Sequence, residues 1–186
     1  MTPRVAYTIP LSLALFVLPA AATDAVAIAA GLIGKPYIWG AEGPRAFDCS
    51  GLTQYVFRQT GVGLPRRAIS QSRVGDAAGR RLRRGDLLFF STDARRSLVT
   101  HVGIYEGDGV MINASKQHGR VRRDSLRDEY WAERFMFARR ITEADAHDRD
   151  DSPVVAEPAR LPRGDRRTAA RVVERIADVL LRRPSR

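Results

Sequence analysis

The pattern of hydrophobic and polar positions predicts helices in the first part of the chain. An alanine-rich stretch from Asp24 to Leu32 predicts a helix with Asp24 as its N-cap. A second helix is predicted up to Thr60-Gly61, because long or apolar side chains recur there at intervals of three and four: Leu52, Tyr55, Val56 and Gln59. A short helical turn is predicted from Ile69 to Val74.

Strand patterns dominate the region that follows. Leu87 to Phe90 is a continuous apolar run, which is typical of a core strand. Val99 to Tyr105 alternates, and Gly107-Asp108-Gly109 predicts a hairpin turn before a returning strand. The other predicted segments are a strand over Val110 to Ala114, a short strand from Val121, a last strand over Phe135 to Ala138, an irregular stretch over Gly75 to Arg84, and a helix or turn over Asp124 to Tyr130.

The order of these elements indicates the fold class. Helices come first and an antiparallel meander of strands follows, so helices and strands are segregated along the chain. We therefore expect an α+β domain with N-terminal helices packed on an antiparallel β-sheet.

Each end of the chain differs in composition from this region. Residues 1–22 read as a secretory signal, with an apolar run and the small residues Ala20-Ala21-Ala22 before a cleavage site. This predicts a protein that is secreted or located in the periplasm or cell wall; an uncleaved anchor is the alternative. Residues 142–163 carry acids and prolines and predict a disordered linker. Residues 164–183 predict an amphipathic helix with arginines on one face. This helix either contacts an anionic membrane, the wall or a partner, or it folds back on the domain or frays.

The charge distribution narrows the expected partners. The formal net charge is +10, and residues 142–158 are acidic between two basic regions. A basic surface suits anionic cell-wall polymers or lipid headgroups. No basic run is interleaved with aromatic residues and no nucleic-acid-binding motif is present, so nucleic acid is not an expected partner. We expect one domain and a monomer.

The only cysteine is the main candidate for chemistry. Cys49 has no partner for an intramolecular disulfide, so it is either a small buried apolar residue or a reactive thiol. Asp48 is a good N-cap, which places Cys49 at the N-terminus of the second predicted helix. The unpaired N–H groups and the helix dipole there favour an anion and predict a lowered thiol pKa. This position favours a nucleophile.

A thiol nucleophile requires a base and a group that orients the base. His147 lies in the acidic linker and His118 lies in a predicted loop, whereas His101 begins a strand. The predicted hairpin brings Asn113 back toward His101, and a polar side chain in an apolar strand needs a hydrogen-bond partner. Cys49, His101 and Asn113 are therefore a candidate nucleophile, base and orienting residue.

Five motifs in this order resemble those of the NlpC/P60 cysteine peptidases. They are Pro36-Tyr37-Ile38-Trp39-Gly40, Phe47-Asp48-Cys49-Ser50-Gly51-Leu52, Leu64-Pro65-Arg66, Gly85 to Phe90 and His101-Val102-Gly103-Ile104-Tyr105. The resemblance implies a papain-like catalytic domain over residues 23–141. It also implies cleavage of peptidoglycan stem peptides, usually between γ-D-glutamate and a diamino acid, with no metal or cofactor.

The resemblance also implies roles for individual residues. Cys49 matches the nucleophile and His101 the base, and Asn113 occupies a third place where many members have histidine. Tyr37 matches a tyrosine that faces the thiol and assists the oxyanion or substrate; a core aromatic is the alternative. Asp48 matches an acid that in some members binds the free amine of the stem peptide, in addition to its capping role. Ser50 is expected to line the same pocket. Trp39 is expected to pack in the fold rather than to stack on substrate.

Two other functions are compatible with the same residues. The same site would serve an amidase or acyltransferase acting on another substrate. A cell-wall-binding protein without catalysis is the alternative from another class, and an intact Cys49 and His101 argue against it.

Overall fold

The computed structural model describes residues 24–79, 81–93, 97–142 and 145. Within these ranges the helices are α1 (Ala25–Gly31), α2 (Cys49–Gln59), α3 (Ala68–Gln71) and α4 (Glu129–Arg134). The strands are β1 (Asp76–Ala77), β2 (Leu87–Phe90), β3 (His101–Gly107), β4 (Val110–Ser115), β5 (Arg120–Ser125) and β6 (Phe135–Arg140). The predicted signal, the C-terminal helix and nearly all of the predicted linker lie outside the described residues.

The first two helices begin at the predicted capping residues. The Asp24 side chain accepts a hydrogen bond from Val26 N at 2.9 Å, and Asp48 accepts one from Gly51 N at 2.7 Å. Each bond satisfies one of the backbone donors that a helix N-terminus leaves unpaired. Both helix predictions are confirmed, and Cys49 is the first residue of α2.

The six strands form one antiparallel sheet in the order β1-β6-β2-β3-β4-β5. The predicted hairpin joins β3 to β4, with Asp108 and Gly109 at positive φ. The expected α+β class is confirmed, but the simple meander is wrong. It holds only from β2 to β5, because β6 crosses over and pairs with β2 on the opposite side.

Two local predictions are also wrong. Asp76–Ala77 forms a short strand on β6 rather than an irregular segment. Asp124 and Ser125 belong to β5, opposite Met111 and Val110, so the following helix begins only at Glu129. In both cases pairing with another strand, rather than the local sequence, decides the conformation of these residues.

The sheet lies between two apolar layers. Leu87 and Phe89 face the cluster that contains α1 and α2, whereas Leu88 and Phe90 face a second cluster that contains Trp131 of α4. This explains why β2 is a continuous apolar run, since both of its faces are buried. The outer strand β5 is partly covered, because Val121 exchanges backbone hydrogen bonds with residues 34–35 at 2.9 and 2.8 Å.

Asp24 and Thr142, near the two ends of the described part of the chain, both lie at the C-terminal end of α2. A cavity of about 360 Å³ there is lined by Asp24, Ala25, Phe57, Thr60, Val62, Arg83, Arg84, Gly85, Asp86, Arg140, Ile141 and Thr142. Cys49 lies at the other end of α2, about 16 Å away along the helix axis. Among the described helices, none is long and apolar enough to cross a membrane.

Candidate active site

Cys49 lies at the N-terminus of α2, against the strand that carries His101. Asp48 has extended backbone and ends the preceding loop, so the helix starts at the thiol residue itself. The sulfur interacts with the backbone of Val102 and Ser50, which respectively follow His101 and Cys49 in the chain. This contact holds the first turn of α2 against the beginning of β3.

The resting thiol is less acidic than expected for a helix N-terminus. Burial raises the pKa of Cys49 above that of an ordinary thiol, and the negative charge of Asp48 raises it further. Hydrogen bonds with the backbone of Val102 and Ser50 offset part of this effect. The predicted lowering of the thiol pKa is therefore wrong for the substrate-free protein, because desolvation outweighs the helix-terminal donors.

His101 is buried at the start of β3 and contacts Asn113. Its Nε2 lies 3.1 Å from Asn113 Oδ1, so the predicted return of the hairpin toward His101 is confirmed as a contact. Burial lowers the pKa of His101 from 6.5 to about 4, although the bond with Asn113 acts in the opposite direction. The ring is therefore neutral at pH 7. Trp131 stacks on it with centroids 5.0 Å apart and planes 29° apart.

Asn113 connects His101 to an ion pair whose carboxylate is buried. Its Nδ2 donates to Asp124 Oδ2 at 2.8 Å, and Asp124 Oδ1 lies 2.9 Å from Arg122 Nε. Gly103 leaves room for this arrangement, since a Cβ there would lie 3.3 Å from the Cβ of Asn113 and 2.9 Å from the sulfur of Met111. The two strands after His101 therefore bring four polar side chains into one continuous chain of contacts.

Tyr37 lies beside the thiol on the loop before α2. The segment is fixed by its backbone, with Tyr37 N donating to Gly119 O at 2.8 Å. Burial raises the pKa of Tyr37 to about 12, and the charges of Cys49 and Asp48 contribute. The phenol thus keeps its proton at neutral pH and is able to donate a hydrogen bond.

The Asp48 carboxylate is surrounded by donors from the chain. It accepts from the backbone N–H groups of Gly40 and Gly51, and both Arg66 and the Ser50 hydroxyl bond to it. Burial pushes its pKa upward, but Arg66 and the backbone donors hold the pKa below the usual value of an aspartate. Glu42, whose side chain is 52% exposed, pairs with the Nε of the same arginine at 2.9 Å.

Trp39 is not a packing residue. It is 81% exposed, two residues from Tyr37 and directly before Gly40, whose N–H binds Asp48. The prediction that it packs in the fold is wrong, because the turn at Gly40, with φ at +80°, directs the loop outward at this point. An exposed tryptophan in the loop that binds Asp48 is available to an incoming molecule.

A family comparison agrees with this geometry. The model of the NlpC/P60 family matches residues 34–140, which is more than half of the chain and includes every residue of the candidate site. The chain belongs to the NlpC/P60 family.

Two curated NlpC/P60 relatives indicate the range of named activities. The chain is 39% identical over 114 residues to murein DD-endopeptidase MepH of Escherichia coli K12, covering 59% of this chain and 42% of that protein. It is 36% identical over 121 residues to the γ-D-glutamyl-L-lysine dipeptidyl-peptidase of Bacillus cereus, covering 64% and 36%. The chain thus spans less than half the length of either relative.

Solved NlpC/P60 structures have the same fold. An NlpC/P60 family protein from Bacillus cereus aligns with a TM-score of 0.60 and 36% identity, covering 64% of this chain and 40% of that one. The peptidoglycan hydrolase RipB of Mycobacterium tuberculosis aligns with a TM-score of 0.55 and 30% identity, covering 64% of each chain. The papain-like α+β fold is therefore confirmed.

Several residues of this NlpC/P60 site were missed from sequence. Arg66 stands in a recognised motif without an assigned role, and a buried acid such as Asp48 is a signal that a cation is needed. Trp131, Arg122 and Asp124 carry no local signal, because their positions depend on strand pairing.

The other described histidine lies outside the site. His118 bonds to Ser115 in the exposed turn between β4 and β5. No group of three His, Cys, Asp or Glu side chains among the described residues is placed to share a metal ion.

Proposed function

We propose that this chain is a cysteine endopeptidase that hydrolyses peptidoglycan stem peptides. The observation that carries the proposal is the placement of a single thiol at a helix N-terminus, against the strand whose histidine is bound by Asn113. A nucleophile, a base and a group that orients the base are the components of thiol catalysis. The named activities of its NlpC/P60 relatives support the substrate class.

Acylation begins from a neutral pair. His101 has a lowered pKa and Cys49 a raised one, so the resting state is thiol and imidazole rather than thiolate and imidazolium. His101 takes the proton of Cys49 as the sulfur attacks the amide carbonyl and forms a carbon–sulfur bond. The same proton then passes to the leaving amine as the carbon–nitrogen bond breaks.

Deacylation hydrolyses the thioester, and His101 again acts as the base. Water, activated by His101, adds to the thioester; the carbon–sulfur bond breaks, and the thiol is regenerated with a free carboxylate as the product. Tyr37 keeps its phenolic proton and lies near the sulfur, which supports a role as an oxyanion donor alongside the backbone N–H of Cys49.

Asp48 and Ser50 are proposed to shape the substrate side of the site. Because Asp48 already accepts five hydrogen bonds from the chain, binding the free amine of a stem peptide requires one donor to give way. Glu42 is the more open carboxylate of this group and offers a second partner for that amine.

The proposed scissile bond joins γ-D-glutamate to the diamino acid. The Bacillus cereus relative is named for a γ-D-glutamyl-L-lysine substrate. A Bacillus subtilis relative, 37% identical, is named γ-DL-glutamyl hydrolase. The DD-endopeptidase name of the Escherichia coli relative favours a second candidate, the D,D cross-link between two stem peptides. Either substrate requires export, which the predicted signal in residues 1–22 would supply.

Digestion of defined muropeptides tests the proposal and separates the two bonds. Residues 23–186 and the Cys49→Ala variant are incubated with an uncross-linked tetrapeptide and a cross-linked dimer, and the products are identified by mass. We expect the wild type alone to cleave the tetrapeptide after D-glutamate. Cleavage of the dimer into two intact monomers favours the D,D bond, and equal activity of the alanine variant excludes the thiol mechanism.

A further inference from the structure

The amide of Asn113 is held in one orientation by Asp124. Asn113 is fully buried, and its two side-chain heteroatoms face different partners, with Oδ1 toward His101 and Nδ2 toward Asp124. An ionised carboxylate only accepts hydrogen bonds, so only the nitrogen of the amide is able to face it. A flipped amide would set its oxygen against the carboxylate and leave buried groups unpaired.

This orientation decides which nitrogen of His101 carries the proton. The oxygen of Asn113 is an acceptor, so the Nε2 atom that it faces, 3.1 Å away, must be the donor in the neutral ring. The lone pair is then on Nδ1, the other ring nitrogen. A base needs that free lone pair to take the proton of Cys49.

Asp124 is itself anchored by a neighbour on its own strand. Arg122 lies two residues before Asp124 in β5, so both side chains project from the same face of the sheet. The Arg122 side chain is 32% exposed and that of Asp124 is 8% exposed, with 2.9 Å between Nε and Oδ1. The guanidinium supplies the countercharge that a buried carboxylate needs and leaves its other oxygen for Asn113.

The register of the sheet makes this arrangement a property of the fold. Asn113 is opposite Arg122 and Met111 is opposite Asp124, so Asn113 and Asp124 are diagonal neighbours on adjacent strands. A shift of one residue in β5 would turn the carboxylate to the other face of the sheet. The contact is therefore specified by two hairpins rather than by a mobile loop.

We infer that Asp124 is a positioning residue for the base: it fixes and polarises the amide of Asn113, so that His101 presents Nδ1 to Cys49. This inference rests on the thiol mechanism proposed above. Asn113 alone could turn either end toward the ring, whereas Asn113 with Asp124 selects the base-competent tautomer.

The first test measures the tautomer and the thiol without any substrate. Nitrogen NMR of the imidazole ring reads the tautomer of His101, and the rate of Cys49 alkylation by iodoacetamide against pH reads the thiol and its base. The wild type is expected to show protonated Nε2; an Nδ1-protonated ring in the resting wild type overturns the inference outright. Neither readout depends on cleavage of a muropeptide, so a failure of the proposed function is distinguishable from a failure of this inference.

Variants then separate orientation from simple stability. In Asp124→Leu, and in the Arg122→Met/Asp124→Leu double variant that removes both charges, we expect a mixed tautomer and an altered alkylation profile. On a substrate that the wild type cleaves, kcat should fall about 100-fold with little change in KM. Asp124→Asn keeps an oxygen for Asn113 Nδ2 and should recover the wild-type tautomer. Asp108→Asn, an exposed carboxylate at the β3–β4 turn, is the matched control and should change nothing.

The outcome that overturns the inference is equally definite. If either apolar variant folds, with an unfolding transition as cooperative as that of the wild type, and keeps both the protonated Nε2 signal and the wild-type alkylation profile, Asp124 does not position the base. A failure of Asp124→Asn to restore the tautomer would equally overturn the orientation argument.

Discussion

The buried histidine and the half-buried thiol at the site each favour their neutral form. The pKa of His101 lies at about 4 and the pKa of Cys49 is raised, so the resting charges lie on Asp48, Arg66 and the Asp124 ion pair. A neutral resting pair limits reaction with adventitious electrophiles, because the thiolate is the reactive form of cysteine. Substrate binding must therefore supply the contacts that favour proton transfer.

The lowered pKa of His101 predicts a loss of stability at mildly acidic pH. The folded protein holds the ring neutral down to about pH 4, whereas an unfolded histidine binds a proton below pH 6.5. As the pH falls from 6.5 to 4, the unfolded chain binds a proton that the folded protein excludes. The free energy of unfolding should therefore decrease by about 2 kcal/mol between pH 7 and pH 4.5 from this group alone.

Urea unfolding of the wild type and of His101→Gln at both pH values isolates this contribution. The glutamine does not titrate and retains a donor for Asn113, so the wild type should lose more stability on acidification than the variant. Equal losses in the two proteins would contradict the pKa assigned to His101.

The exposure of Trp39 predicts a role in substrate binding without a role in stability. Because its side chain is 81% exposed, Trp39→Ala should leave the free energy of unfolding, measured in urea, unchanged within about 0.5 kcal/mol. KM for a muropeptide should rise about tenfold with little change in kcat, since exposed aromatic residues often contribute most of a contact surface. Trp39→Phe keeps a flat ring and should restore most of the affinity; an unchanged KM in the alanine variant would assign no binding role to this side chain.

The residues that could be predicted from sequence are those with a local signal. Cys49 and Asp48 stand at a recognisable helix start, and Asn113 is a polar residue in an apolar strand after a marked turn. The acidity of Cys49 and the partners of Asn113 could not be predicted. The burial of Cys49 and the contact between Asn113 and Asp124 arise only when α2, β3, β4 and β5 pack together.

At the scale of the elements, the N-terminus of α2 depends on close contact with the preceding loop. A Cβ on Gly51 would lie 2.2 Å from the backbone oxygen of Ala41, so Gly51→Ala should push the first turn of α2 away. We expect a loss of about 1–3 kcal/mol in the free energy of unfolding and a lower kcat, because Cys49 moves with that turn. Urea unfolding and turnover of a muropeptide measure the two effects.

Gly31 in α1 is the matched control for this substitution. A Cβ at Gly31 meets nothing within 4 Å, so Gly31→Ala should change stability only through helix propensity, raising it by up to about 1 kcal/mol. A Gly51→Ala variant as stable and as active as the Gly31→Ala variant would refute the argument from contact.

The elements that could be predicted are those whose pattern is local. α1, α2, β2 and the β3–β4 hairpin carry caps, apolar periodicity or turn residues of their own. β1 and the crossover of β6 could not be predicted, because Asp76–Ala77 is a strand only through Arg139 and Arg140. Pairing between residues more than 60 positions apart leaves no periodic trace in a polar sequence.

At the scale of the whole molecule, the described part of the chain begins and ends away from the thiol. Asp24 and Thr142 line one cavity at the C-terminal end of α2, whereas Cys49 begins that helix. Segments attached at these ends therefore start about 16 Å from the reaction centre. This arrangement agrees with a domain that occupies less than half the length of its relatives.

Insertion of a small folded domain tests this separation. Placed after Thr142, it should leave kcat/KM within about twofold of the original value, since no contact of the site is altered. The same domain placed between Gln117 and His118 is expected to lower kcat/KM strongly, because Gly119 in that turn holds the backbone of Tyr37. Equal kcat/KM values for the two fusions would contradict the argument that position 142 is separated from the site and the 117–118 turn is not.

The partly covered edge of β5 limits how copies of the protein meet at high concentration. Val121 is already paired with residues 34–35, and the strand continues into Arg122 and Arg123. A second copy that approached edge to edge would find the backbone N–H and C=O of Val121 already occupied and would bring arginines toward arginines. This edge of the sheet is thereby guarded against growing into fibrils, a hazard that every open β-sheet carries.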